Sequence, residues 1–293
     1  MSGDGLQPEA AAVAQEAEAL LGGADVFQRN EVFFSTWRRT TRRRIKSIKA
    51  LLPTLRRALD PKEKVRFVSA SGYMYYLWEQ FLGAGVWAAF VNATTVVLTD
   101  RRLLAFNVEH RSRAPKDIKN AIPFSGILSV RRFAGTLTLR LRDRRKLRVT
   151  GLPFADAGEL RARLARELEN PAWQAAGASI GGKSLQYLCP ACCRPVEGTD
   201  AERCASCRVE FRSGRTAALR SLLLPGLGDI YLKHTLLGVL ELIGSVIVWL
   251  VVLDALLSGE PDSIIIAAVL FVMVNVTDYF VTKAMARKGI IAK

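Results

Sequence analysis

Residues 96–106 read VVLTDRRLLAF, and this stretch decides the N-terminal fold. Two β-rich runs, VVLT at 96–99 and RLLAFNV at 102–108, flank Asp100-Arg101, which reads as a tight reversal. Runs of the same kind follow: ILSVRRF at 127–133, TLTLRLR at 136–142 and KLRVT at 146–150. Pro123, Ala134-Gly135 and Asp143-Arg144 separate them as turn signals. In TLTLRLR, Leu137, Leu139 and Leu141 alternate with Thr and Arg, so one face is buried and the other wet, as an antiparallel sheet requires. The period then changes. Leu160, Leu164 and Leu168 recur at i, i+4 and i+8 in residues 154–168, which predicts one helix closing the sheet. The fold class is therefore α+β.

Towards the N-terminus the chain changes character twice. Residues 1–25 carry Asp4, Glu9, Glu16, Glu18 and Asp25 with no base, an acidic tail that lacks the positive start of a secretory signal. Its alanine-rich spacing from Pro8 to Leu21 fits a short helix stopped by Gly22-Gly23, and a frayed tail fits as well. Residues 26–60 contain a basic amphipathic helix. Arg38, Arg39, Arg42, Arg43, Arg44, Lys46 and Lys49 stand within twelve residues without an acid, while Ile45, Ile48, Leu51, Leu52 and Leu55 recur at helical spacing. Pro53 is expected to kink or end it. Seven bases in this register are candidates for contact with an anionic lipid surface, with Phe33, Phe34 and Trp37 dipping beside them; packing against the sheet domain is the alternative. Residues 73–92 (YMYYLWEQFLGAGVWAAFVN) are apolar and aromatic, and read either as core strands or as a membrane-touching hairpin.

Strands closed by one C-terminal helix resemble a bacterial pleckstrin-homology-like domain. The resemblance rests on VVLTDRRLLAF, which is similar to an LT-(D/N)-x-R-(L/I) strand pair, and on AIPFSGILSVRR at 121–132, similar to a strand preceded by an IPY-type turn. It covers residues 61–170 and implies an antiparallel PH-like sheet or barrel that binds a lipid or protein partner.

After a linker at 171–186, all five cysteines fall between Cys189 and Cys207. CPAC, eleven residues, then CASC make two CxxC knuckles, each aiming two sulfurs the same way. Four thiolates complete the tetrahedral shell that Zn2+ prefers and leave no open position, so a structural zinc is expected on Cys189, Cys192, Cys204 and Cys207. Cys193 adjoins Cys192 and could replace it, but Cys192 has the usual spacing. The cluster resembles a short zinc ribbon over 187–212.

Residues 213–293 read as a membrane hairpin. Thr235–Leu257 and Ser263–Ala284 are each long and apolar enough to cross about 30 Å of hydrocarbon, and Ser258–Asp262 is a short connector. Arg212, Arg215, Arg220 and Lys233 precede the first span, Lys283, Arg287, Lys288 and Lys293 flank the second, and the connector has acids alone. The positive-inside rule then places both termini in the cytoplasm of a plasma (inner) membrane. Pro225–Gly238 resembles the PGLGxxY entry of small two-span membrane domains and predicts a broken helix at the interface. Glu241, Asp254 and Asp278 are ionisable residues inside the spans, with Glu241 and Asp278 at similar depth.

The formal net charge of +15 fits nucleic acid as well as anionic lipid. Trp37 is the lone aromatic beside the basic run, so base stacking is not provided for, and nucleic acid is disfavoured. Two histidines and no GxxxxGK[ST], GxGxxG or HExxH argue against an enzyme. The GKS at 182–184 lacks its upstream glycine. A non-enzymatic membrane-anchored adaptor is the expectation, with an unidentified protein or lipid partner; a transporter or channel would need two-span chains to form a homo-oligomer.

Overall fold

The computed structural model describes residues 38–76, 93–173, 175 and 184–293. The acidic tail, Phe33, Phe34, Trp37 and most of the apolar 73–92 segment lie outside them. The chain forms two compact units, one up to Pro195 and one from Val196.

The first unit opens with α1 (Arg38–Ala58). Ile45, Ile48, Leu51, Leu55 and Ala58 are buried along one side, while Arg39, Arg42, Arg43, Lys46 and Lys49 are exposed along the other. The helix does not end at Pro53. That residue is exposed and the helix continues to Ala58. Burial of Leu55 contributes about 1.5–3 kcal/mol, which offsets much of the roughly 3 kcal/mol that an internal proline costs.

Among the described residues ten strands follow: β1 (Val65–Val68), β2 (Tyr73–Tyr76), β3 (Thr94–Thr99), β4 (Arg102–Val108), β5 (Pro115–Pro123), β6 (Ile127–Phe133), β7 (Thr136–Leu141), β8 (Lys146–Thr150), β9 (Gln186–Leu188) and β10 (Pro195–Val196), with α2 (Phe154–Leu168) between β8 and β9. They make two sheets, β1-β3-β4-β5-β9-β10 and β2-β8-β7-β6, not one closed barrel. The sequence pattern missed β5, because Pro115, Lys116, Asp117 and Lys119 mask its apolar end. Its register against β4 pairs Leu103 with Ile122 and Leu104 with Ala121.

Every position of β3 is buried, and all but the first of β4. Val97, Leu104, Phe106 and Ala121 join Ile48, Leu51 and Leu55 of α1 in one core. Val96, Leu98, Leu103 and Ile122 join Leu137, Leu139, Leu141, Leu147 and Val149 of the other sheet, with Leu160 and Leu164 of α2, in a second. α1 covers the outer face of the first sheet and α2 packs into the core shared by the two sheets, so the apolar face of α1 is spent on protein, not lipid.

The TDRR turn is a polar knot. Thr99 Oγ1 accepts the N–H of Arg102 at 3.0 Å, and the Arg102 guanidinium forks onto buried Glu63, Nε to Oε1 at 2.9 Å and Nη2 to Oε2 at 2.7 Å. Burial pushes the Glu63 carboxyl up, but hydrogen bonds from Arg102 and Thr99 outweigh it and hold it below its ordinary range.

Arg44 is the correction among the expected lipid-facing bases. It is fully buried, and its Nη2 donates to Asp156 Oδ1 at 2.6 Å. Asp156 stands in the first turn of α2 and its Oδ2 also accepts the Ala70 N–H at 3.3 Å. Arg44 lies one turn before Ile48, on the stripe that faces the sheet.

In the second unit, α3 (Gly214–Leu223) and α4 (Leu227–Tyr231) break at Pro225-Gly226, where Gly226 takes φ +88°. Then come α5 (Thr235–Ser258) and α6 (Pro261–Ala286), both long and apolar enough to cross a membrane. The connector shrinks to Gly259-Glu260, with Gly259 left-handed after α5 and Pro261 opening α6. Leu236, Ile243, Ile247, Leu250, Ile265 and Ile266 are each more than half exposed, unlike core side chains. The chain end returns to the entry: Arg212 N–H donates to Ile291 O, Lys293 N–H to Glu210 O, and Phe211 bridges Ala292.

Asp156→Ala is expected to destabilise the first unit by about 3–5 kcal/mol, since it leaves a guanidinium buried without its counter-charge. Denaturant melts of the full chain in detergent would show this, and the pair Arg44→Met with Asp156→Leu should recover most of the loss.

Candidate metal centre and basic pocket

Two knuckles with the same wiring hold the four expected cysteines. Cys189 N–H donates to Arg194 O at 2.9 Å and Cys193 N–H to Cys189 O at 3.0 Å; fifteen residues on, Cys204 N–H donates to Val209 O at 2.9 Å and Arg208 N–H to Cys204 O at 3.0 Å. Each knuckle needs a left-handed residue straight after its second cysteine, here Cys193 (φ 59°) and Arg208 (φ 63°). The sulfurs of Cys189, Cys192, Cys204 and Cys207 all lie within 4.8 Å of one another. A metal bound by four thiolates at 2.3 Å would hold them about 3.8 Å apart, so this set could close on one ion with little movement.

Cys193 is not of this set. It is 3% exposed, packs in the α1 core and points its Sγ at Thr54 O, 3.9 Å away. Burial pushes its thiol pKa up. The first knuckle is held within its own unit: Arg57 Nη1 donates to Ala191 O at 2.8 Å, buried Lys119 donates to Pro190 O, and β9 pairs β5 through Asn120–Tyr187 and Ala121–Gln186.

The bases of α1 meet a second feature. Arg43 and Lys46, with Ser71, Tyr73, His110, Arg111 and Arg113, line a cavity of about 490 Å3. Arg113 is 7% exposed; its Nη2 donates to Ala70 O at 2.9 Å and its Nε to Ser47 Oγ at 3.3 Å. Both acceptors are neutral. Burial lowers the Arg113 pKa, and the Arg43 charge acts the same way. Among the described residues, none of Arg43, Lys46, Arg111 and Arg113 has a carboxylate partner. The cavity therefore presents concentrated positive charge and suits an anion. Arg43 and Lys46 are legible in the basic run; His110, Arg111 and Arg113 arrive from the β4–β5 turn, which no local pattern pairs with α1.

Of the ionisable residues in the spans, Glu241 and Asp278 come together and Asp254 does not. Asp254 is exposed near the connector. A third acid, Asp229 of α4, completes the group, and one oxygen from each of the three lies within 4.8 Å of the others. Asp229 was legible as the residue after the glycines of PGLGD. Lys283, a candidate to reach these acids, instead donates to Tyr279 Oη at 3.4 Å.

No family model matches the chain, and no curated protein matches it. Among solved structures, it is similar to a Vps36 N-terminal PH domain, with a TM-score of 0.29 and 15% identity, over 39% of this chain and 85% of that one.

Metal analysis of the purified, reduced chain is expected to find about one ion per chain at the cysteines. Cys204→Ser or Cys207→Ser should abolish it and unfold the ribbon, because the metal supplies the folding energy of so small a module. Cys193→Ser should keep it.

Proposed function

We propose that this chain is a non-enzymatic membrane-anchored adaptor. Its first unit acts as a PH-like module that engages the anionic membrane surface, its ribbon carries a structural zinc, and its C-terminal hairpin spans the membrane twice. The observation that carries this reading is the basic cavity, where a buried guanidinium with neutral partners adjoins the exposed bases of α1. An anionic headgroup entering it would supply the missing counter-charge while Arg39, Arg42 and Lys49 meet the leaflet, each near base contributing about 1 kcal/mol.

The same reading puts both termini in the cytoplasm of the plasma membrane. Bases flank the hairpin at entry and exit, and acids occupy its connector. Four reduced thiolates belong in a reducing compartment. A protein that docks on the same surface would be a further partner, since an acidic peptide offers similar charge.

Two measurements test this reading. Hydrogen exchange of the full chain in nanodiscs should show the amides of 39–50 and 109–114 slowed by phosphatidylglycerol relative to neutral lipid. Added salt, or Arg43→Ala with Lys46→Ala, should remove the difference; equal exchange in both lipids would reject the headgroup role. Separately, a cysteine probe at Gly259 should be labelled from outside intact cells and one at Lys293 should not. The reverse pattern would reject the topology.

A further inference from the structure

The acids near the cytoplasmic ends of the spans pose a separate problem in charge. Asp229 is 0% exposed and Asp278 8%, yet their carboxyl oxygens and one of Glu241 lie within 4.8 Å of each other. Backbone and hydroxyl donors reach two of these carboxylates. Gly226 N–H donates to Asp278 Oδ2 at 3.1 Å, and Thr282 Oγ1, itself 2.7 Å from Ser221 Oγ, donates to Asp229 Oδ2 at 3.2 Å. Asp229 Oδ1 and Glu241 Oε2 are buried and have no donor from outside the acid group among the described residues. A buried carboxylate oxygen facing other carboxylates is strongly unfavourable unless something positive stands between them.

We propose that Asp229, Glu241 and Asp278 form a binding site for a hard divalent cation, held where the entry segment meets the two long helices. Three features favour it. The donor set is all oxygen, which selects Mg2+, Ca2+ or Mn2+ over softer metals. Oxygens that share an ion at about 2.3–2.6 Å stand no more than roughly 5.2 Å apart, and these three lie within 4.8 Å of one another, so one ion could reach all of them. The hydroxyl and backbone donors hold the Asp229 and Asp278 carboxylates in place, as supporting bonds do around known metal ligands. Lys288, also buried, contributes one nearby positive charge but does not balance three acids.

The test uses the full chain in detergent, stripped of loosely held metal and titrated with Mn2+, with bound ion read by electron paramagnetic resonance. One Mn2+ site per chain is expected. Asp229→Asn, Glu241→Gln and Asp278→Asn keep shape while removing charge, and each should weaken binding at least about tenfold. Thermal melts check that each variant folds. Absence of Mn2+ binding to the wild type would mean that shared protons hold the acids together and would overturn the proposal. Undiminished binding in all three folded variants would place the ion elsewhere, on the connector acids for example, and would overturn it equally.

Discussion

The ion pair of Arg44 with Asp156 sets the orientation on which the first unit depends. Arg44 belongs to the helix over one sheet, Asp156 to the helix beside the other, and both are fully buried. A charge taken out of water is tolerated only where its counter-charge is fixed, so α1 has one rotational setting that satisfies it. In that setting Ile48, Leu51 and Leu55 meet the sheet, and Arg39, Arg42, Arg43, Lys46 and Lys49 are turned outward. Neither the outward basic stripe nor the cavity it borders would exist if α1 were free to roll.

The same accounting separates structural charge from functional charge elsewhere in the molecule. Glu63 has Arg102 in a two-point fork plus Thr99 and a backbone N–H, so its charge is fully answered and serves the β3–β4 turn. Arg113 has a carbonyl and a hydroxyl, which satisfy its hydrogens without balancing its charge. Asp229 has one hydroxyl for one oxygen and nothing for the other. A residue of the first kind is complete within the fold. For the other two the proposed anion and cation would supply the missing charge.

How much of this a reader could take from the sequence depends on the range of the interaction. The alternation of Leu137, Leu139 and Leu141 is local, and all three are buried as it implies. The CxxC spacing is local too, and brings its four sulfurs together. The choice between Cys192 and Cys193 follows from backbone geometry that a spacing cannot express: the residue after the knuckle turns left-handed and carries its side chain to the core. Arg44 looks like its neighbours in RRTTRRR, but its place four residues before Ile48 already put it on the apolar stripe. Nothing local announced that β3 and β4 are buried on both faces, because that depends on which layers cover them. Nor did it announce that residues 291–293 return to 210–212, where Arg212 N–H donates to Ile291 O and Lys293 N–H to Glu210 O, a pairing across some eighty residues of chain.

Glycine and carboxylate in the entry segment are parts of one arrangement. Gly226 adopts φ +88°, a conformation that gives it an N–H aimed at Asp278 and a carbonyl pressed on Gly238. A Cβ on Gly226 would collide with Gly238 O, one on Gly238 with the backbone of Gly226 and Ile230, and one on Gly228 with Ser221 and Thr282. Side chains at these positions would push α4 away from α5 and α6, and the distance they would open is the distance across which Asp229 meets Glu241 and Asp278. The close approach therefore brings three acids together in a place where repulsion opposes it. An apolar entry helix could have packed against the long helices without that repulsion. The proposed cation is what would relieve that repulsion.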